Sequence, residues 1–282
     1  MSEQNPFFEQ NGQIVEYIKF IIDMSKSKID KKEKPSFFWL ATELGRAAAE
    51  VGISIPYLKY CVSNRTGDQH PVLVLPGFMA SDTSTKPLRE FLDKIGYTPI
   101  AWDLGRNYGK VTFLNELSDK LQTLRKKYKT KVSIIGWSLG GVYARQLAKQ
   151  HPKLVRQVIT LGSPFRGISK SNNASWIYNL LPGNKRVVDL DPGLLKDLPI
   201  PAPVPTTAIY SKEDGIVPWR YCMEKKEDSL HQNIQVRGSH LGLGVNLSVF
   251  EIIEDRLQFS ESTWSPFVPA NIFKDLLFYP SL

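Results

Sequence analysis

Cysteine is almost absent from this sequence: Cys61 and Cys222 are the only two, and they stand 161 residues apart. That is too few and too scattered for a disulfide framework or a cysteine metal cluster, so reduced, non-catalytic thiols are expected. Histidine is scarce as well, with His70, His151, His231 and His240 the full set. Long apolar runs are missing. The most apolar stretch near the N-terminus, IVEYIKFIIDM, is broken by Glu16, Lys19 and Asp23 and is too short to span a bilayer. The opening MSEQNPFFEQNGQ lacks the charged start, apolar middle and small-residue cleavage site of a secretory signal, which points to the cytoplasm. Zinc-finger spacings and tracts of interleaved basic and aromatic residues are also lacking, so nucleic acid is set aside as a partner. No internal repeat or low-complexity segment occurs.

What is present is ordinary for a folded enzyme-sized chain: 282 residues, 42% hydrophobic and 23% charged, enough to bury a core without disulfide or metal support. The formal charge of +8 is spread along the chain and implies a mildly basic surface. Ile14, Ile18, Ile21 and Ile22 recur at helical spacing, and a basic run from Lys26 to Lys34 follows. Peripheral contact with an anionic membrane fits this segment, and so does packing of its apolar face on its own domain. A second helix is expected from about Ser36 to Val51, its small residues allowing close packing.

After residue 70, short apolar runs alternate with amphipathic helices, which predicts a mostly parallel central sheet with helices on both faces. The expected strands are 72–75, 99–102, 131–136, 155–162, 206–211 and 233–238, with helices near 86–95, 112–128, 139–150 and 247–257. Residues 164–204 are too long and too rich in Gly, Pro, Asn and Trp for a simple crossover, so a lid-like insertion is expected there. The organisation reads as a helical N-terminal extension over 1–60, a core over 61–258 and a C-terminal tail over 259–282 packing on the core.

The chemistry centres on Gly136-Trp137-Ser138-Leu139-Gly140, where an apolar strand ends and a helix begins. A GxSxG match alone arises by chance in roughly one chain in ten of this length. Context raises its value: a serine in a sharp strand-to-helix turn needs neighbours without Cβ atoms two residues either side, and Gly136 and Gly140 supply them. The bland alternative is a serine that merely caps the helix.

A serine hydroxyl needs a base, and the base needs an orienting group. His70 precedes the serine and is excluded by the order serine, acid, histidine. His151 sits at the far end of the helix that starts behind Ser138, and His231 stands at the start of a strand, opposite the expected site. His240, in Gly238-Ser239-His240-Leu241-Gly242, follows that strand at its carboxyl end and is the favoured base. Asp214, in the turn after TTAIYS, is the favoured acid. Glu213 is the alternative, with Asp191, Asp197 and Asp228 less well placed. An oxyanion formed during acyl transfer needs two N–H donors. Leu139 supplies one from the helix start, and the loop Leu75-Pro76-Gly77-Phe78-Met79 supplies the other, with Phe78 preferred and Met79 next.

Taken in order, LPGF, GWSLGG, TLGSPFRG, DGIVP and GSHLGLG resemble the motifs of a bacterial lipase or esterase of the α/β-hydrolase superfamily, over about residues 70–258. The resemblance implies the α/β-hydrolase fold, with Ser138 as nucleophile, Asp214 as acid, His240 as base, and Phe78 and Leu139 as oxyanion-hole donors. No disulfide or calcium site is carried over from that family, and no cofactor and no metal are expected. Pro76-Gly77 stands where that family usually has His-Gly, which leaves the substrate class open. The expected activity is hydrolysis of a lipophilic acyl ester or lipid, with Met79, Trp137, Trp176, Leu180 and Leu181 as substrate-pocket residues. An acyltransferase or thioesterase would use the same triad, and a non-catalytic binding protein would use the same fold.

Overall fold

The computed structural model describes residues 35–60, 67–166, 196–260, 262–269 and 279–280. The helix expected around residues 14–24 and most of the expected insertion, including Trp176, Leu180 and Leu181, lie outside the described residues. In chain order the elements are α1 (Phe37–Tyr60), β1 (Pro71–Leu75), α2 (Asp82–Lys94), β2 (Thr98–Ile100), α3 (Phe113–Tyr128) and β3 (Val132–Trp137). These are followed by α4 (Leu139–Gln150), β4 (Val155–Leu161), β5 (Thr206–Ser211), a single 3₁₀ turn (Trp219–Tyr221), β6 (His231–Val236) and α5 (Leu247–Gln258).

The strands form one six-stranded sheet in the order β2-β1-β3-β4-β5-β6, every neighbouring pair parallel. Strands of this kind are covered on both faces, and their sequences show it as runs without polar alternation. Val72 and Val74 of β1 face one side, with Ile135, Ile159, Ile209 and Ile234, against Leu88, Phe91 and Leu92 of α2 and Val249, Ile253 and Leu257 of α5. Leu73, Leu75, Ile134 and Val158 face the other, against Leu117, Leu121 and Leu124 of α3 and Ala144, Leu147 and Ala148 of α4. Period two in the strands and spacings of three and four in the helices thus produce two apolar layers on one sheet. From the tail, Phe267 and Tyr279 are buried in the α2/α5 layer, and Gln232 exchanges two hydrogen bonds with the Phe267 backbone, at 3.0 and 2.6 Å.

Helix α1 departs from its expected form. It runs on to Tyr60, and most of the small residues of the 36–51 stretch do not face the domain: Gly45 has open space where a Cβ would project, as has Gly52 beyond it, and Ala41, Ala48 and Ala49 are exposed, whereas Ala47 is buried. The side turned toward the loops beyond β5 and β6 instead carries Glu43, Ala47, Glu50, Ser54 and Leu58, spaced as one helical face. Phe37, at 79% exposure, with Leu44, Val51 and Ile55, lies outward.

Candidate active site

In a parallel sheet the carboxyl ends of the strands share one edge, and the loops there meet. Four such loops concern the site: those after β1 (Phe78), β3 (Ser138), β5 (Asp214) and β6 (His240). Ser138 stands between β3 and α4 with φ 52° and ψ −120°, a strained conformation for a residue with a Cβ. The turn is locked from several directions. The Ser138 amide donates to Leu161 O at 2.8 Å, and Gly141 N–H donates to Ser138 O at 3.0 Å. A Cβ on Gly136 would lie 2.3 Å from the Gly141 Cα, and one on Gly140 would lie 2.3 Å from the Leu75 carbonyl oxygen. Both glycines are therefore required by space, as the sharp turn predicts. Because no side-chain cap is made by Ser138, the capping alternative gains no hydrogen bond here.

His240 and Asp214 are brought together: Nδ1 lies 2.5 Å from Asp214 Oδ2, with both side chains buried. Asp214 is itself anchored, its Oδ1 accepting the N–H groups of Ile216 at 2.8 Å and Val217 at 2.6 Å. The DG turn thus aims one carboxylate oxygen at the imidazole and satisfies the other from the backbone. Burial alone would depress the His240 pKa, but the Asp214 charge and hydrogen bond, with a smaller contribution from Glu43, raise it above the ordinary histidine range. The histidine loop sits beside the serine turn. Trp137 Nε1 donates to His240 O at 3.0 Å, and a Cβ on Gly162, which follows the Leu161 carbonyl bound by Ser138, would lie 3.0 Å from His240 Nδ1.

The loop after β1 approaches the same turn, for a Cβ on Gly77 would lie 3.3 Å from the Ser138 Cβ. Met79 takes φ 58°, and its N–H is spent on Asn107 O at 2.8 Å, which removes it as the alternative oxyanion donor. Its side chain, partly buried, packs against the layer on the α4 side. Phe78 is buried in that layer, and Leu139 opens α4, the end of the helix where N–H groups lack intrahelical partners. Trp137, expected to touch substrate, has its indole N–H committed to the histidine loop.

Several residues around the site escaped the sequence reading. Asn107, fully buried, donates from Nδ2 to Pro76 O at 2.9 Å and exchanges backbone hydrogen bonds with Met79 and Ala80, pinning the loop after β1. Glu43, Arg46 and Glu50 of α1 reach the loops bearing Asp214 and His240. The signal for Asn107 was a lone asparagine in a loop, and for the α1 residues it was charge inside a helix; both patterns are usually solvated.

The other candidates fall elsewhere. His231 opens β6, bound to Ala202 O at 2.8 Å and Asp228 at 2.7 Å, and His151 is the C-cap of α4. Glu213 pairs with Arg237 at 3.2 Å. His70 forms a second serine–histidine–aspartate set, its Nε2 2.8 Å from Ser133 Oγ and its Nδ1 against Asp68. This set lies where β1 and β3 begin, the opposite edge from Ser138, and Ser133 is wholly buried. It joins strand starts and offers no surface to a substrate. Among the described residues, no group of three or more His, Cys, Asp and Glu side chains is arranged to hold a metal. Cys222 is buried, and burial, with the nearby Asp214 charge, pushes its thiol well above the ordinary range. It is thereby kept unreactive.

A parallel sheet carrying a serine on a strained strand-to-helix turn, beside a buried histidine–aspartate pair, gives this chain the α/β-hydrolase fold. More narrowly, the chain belongs to the palmitoyl protein thioesterase family, whose model matches residues 71–213. Serine hydrolase BPHL of Homo sapiens is 30% identical over 134 residues, 41% of this chain and 46% of that protein. The Mus musculus protein of the same name is 29% identical over 128 residues, 41% of this chain and 43% of that protein. The chain spans less than half the length of these curated relatives. Among solved structures, Aspergillus fumigatus lipase B superposes with a TM-score of 0.54 at 15% identity, over 78% of this chain and 57% of that one. Bacillus licheniformis lipase BlEst2 does so with a TM-score of 0.51 at 18% identity, over 68% and 93%. At such identities these structures establish the fold alone. Among the described residues, no helix is long and apolar enough to cross a membrane.

Proposed function

We propose that the protein hydrolyses lipophilic carboxylic esters by acyl transfer through Ser138. The observation that carries this is the buried His240–Asp214 pair at 2.5 Å, held beside a strained Ser138. In this reading Asp214 fixes the imidazole with its proton on Nδ1, so that Nε2 is free to accept. His240 Nε2 takes the Ser138 proton as Oγ bonds to the acyl carbon. The oxyanion is held by the Leu139 and Phe78 amides. His240 then gives that proton to the leaving oxygen as the ester C–O bond breaks, leaving an acyl-serine. A water molecule, deprotonated by His240, attacks the acyl carbon, and the proton returns to Ser138 as the acid departs.

A thioester substrate would follow the same steps with a C–S bond broken, and the family match over residues 71–213 favours that second reading. The match includes Ser138 and stops one residue short of Asp214, so it bears on the acyl-serine step more than on the leaving group. Lipophilic acyl groups are supported by the apolar residues of the 164–204 segment and by the family. Peripheral membrane contact through the basic N-terminal segment is part of the same proposal.

The test is a panel of aryl esters and acyl thioesters of graded chain length, run beside Ser138→Ala and His240→Ala, with reaction toward a fluorophosphonate. Turnover by the unaltered chain, falling by about 10⁴-fold or more in either variant, is the expected result. No turnover of any member, together with no phosphonate adduct, would sink the proposal.

A further inference from the structure

Three ionisable side chains in α1, Glu43, Arg46 and Glu50, turn toward the loops after β5 and β6, although an amphipathic helix ordinarily gives its domain-facing side to apolar groups. Glu43 is wholly buried. Its Oε1 accepts the Leu241 N–H at 2.9 Å and its Oε2 accepts the Gly215 N–H at 3.0 Å. Those amides belong to the residues directly after His240 and Asp214. Arg46 Nη2 reaches Glu43 Oε2 at 2.8 Å and also donates to Glu213 O at 2.9 Å and Trp39 O at 3.0 Å. Glu50 Oε1 accepts the Ser239 N–H at 2.8 Å. The helix presses directly on the acid turn, since a Cβ on Gly215 would fall 2.5 Å from the Trp39 carbonyl group.

Docking a helix does not require a buried carboxylate, and taking one out of water opposes folding unless its partners compensate. Burial and the neighbouring Asp214 charge raise the Glu43 pKa above the ordinary glutamate value, while the His240 charge, the Leu241 amide and Arg46 act against that rise and suit the ionised form. The two loops also meet through the Asp214–His240 contact, the Arg237–Glu213 pair at 3.2 Å and the Ser211 Oγ–Gly238 O hydrogen bond at 2.7 Å, but the Glu43 carboxylate is bound to the residue next to Asp214 and to the residue next to His240 at once, so it acts on the spacing of that pair. We propose that Glu43 is a positioning residue for acyl transfer: through Gly215 and Leu241 it holds Asp214 and His240 in register, and its charge stabilises the imidazolium formed when His240 takes the Ser138 proton. This rests on the ester-hydrolase reading. The groups around His240 are Asp214 from the turn after β5 and Glu43, Arg46 and Glu50 from α1, with the Cys222 thiol near Asp214. Of these, Asp214 and Glu43 both raise the His240 pKa.

The test compares the full chain with Glu43→Gln, which keeps the shape and removes the charge. Fluorophosphonate labelling of Ser138 is followed from about pH 5 to about pH 9, beside kcat and KM on an aryl ester. The labelling rate and kcat are expected to fall by about 10- to 100-fold with KM changed by less than about threefold. The acid limb of the labelling profile is expected to move to lower pH by about half a unit or more, because a negative charge near the imidazolium is gone. Wild-type-like labelling with an unmoved limb overturns the proposal, and so does a rate loss with an unmoved limb, which would make Glu43 a brace only. Where Glu43→Gln does not fold, Arg46→Gln carries the test. It leaves both amide contacts and removes the compensating cation, so the limb moves to higher pH, and an unmoved limb overturns the proposal. A wild-type chain that resists labelling takes down the hydrolase reading and this proposal together. A labelled wild type with an indifferent Glu43→Gln takes down only this one.

Discussion

The indole N–H of Trp137 donates to the carbonyl oxygen of His240 at 3.0 Å, so the residue before the proposed nucleophile is tied to the proposed base by a single contact. Removing that donor while keeping an aromatic ring should loosen the histidine loop without unfolding the sheet. Trp137→Phe is expected to lower kcat by about 10-fold and leave KM within about threefold, since misplacement of a catalytic group is felt mainly in the transition state. Steady-state kinetics on an aryl ester check this.

Asn107 makes a comparable prediction for the other side of the site. Its side-chain amide holds the Pro76 carbonyl, and its backbone holds Met79 and Ala80. Asn107→Ala leaves the buried Pro76 oxygen without this donor, at a cost of about 1–3 kcal/mol in stability. It also frees the loop bearing Phe78, and the expected kinetic signature is a fall in kcat with smaller change in KM. Denaturant unfolding and kinetics on the same preparation separate the two effects.

On α4, Arg145 forms a wholly buried ion pair with Glu224, stacks 3.7 Å from the Phe165 ring centroid and donates to Ile200 O at 3.0 Å. Burial lowers the Arg145 pKa, and the Glu224 charge works against that shift. Arg145→Met strands the Glu224 carboxylate and is expected to destabilise the fold by about 3–5 kcal/mol. Arg145→Met with Glu224→Leu is expected to be more stable than that single variant, because no charge is left unpaired. Urea midpoints of the two variants and the parent decide it.

His70 predicts a pH dependence of stability. Burial, helped by Arg156, lowers its pKa despite the contact with Asp68, so the folded chain takes up a proton there less readily than the unfolded one. The unfolded chain binds a proton there below about pH 6.5, and by linkage stability from this site is lost as pH falls through that value toward the folded pKa. Asp68, lowered to about 2, acts in a separate window: its contribution is present above the ordinary aspartate value and is lost below it. His240, with its raised pKa, has the opposite sign to His70, its contribution being lost as pH rises through the folded value. His70→Gln should therefore flatten the decline between about pH 7 and about pH 5 relative to the parent, as measured by chemical denaturation at each pH.

Much of the sheet was legible because parallel strands buried on both faces write themselves as apolar runs. The exceptions have local causes. The run Pro99 to Trp102 reads as strand, but β2 ends at Ile100, because the Asp82 carboxylate takes the Trp102 and Asp103 amides at 2.7 and 2.9 Å. The last strand reads as 233–238 but spans His231–Val236: His231 pairs with Thr206, and the Arg237 carbonyl is claimed by Asn246 Nδ2 at 2.9 Å. Helix α1 reads as ending before Gly52, yet it passes through Gly52 and Pro56. Of the candidate site, Ser138, Asp214 and His240 could be read from strand ends and turn chemistry. Glu43 could not. The two amides it accepts lie 172 and 198 residues away, and an arginine three residues on, which it also meets, is the ordinary mark of a solvated helix face rather than of a buried glutamate.

The contacts of α1 also bear on how the domain can be cut. A boundary drawn at residue 71, where the family match and the first strand begin, keeps Ser138, Asp214, His240 and every strand of the sheet. It also discards the carboxylates that receive the amides of Gly215, Ser239 and Leu241. The smallest piece of chain that carries the three proposed reactive side chains is therefore smaller than the piece that holds them still.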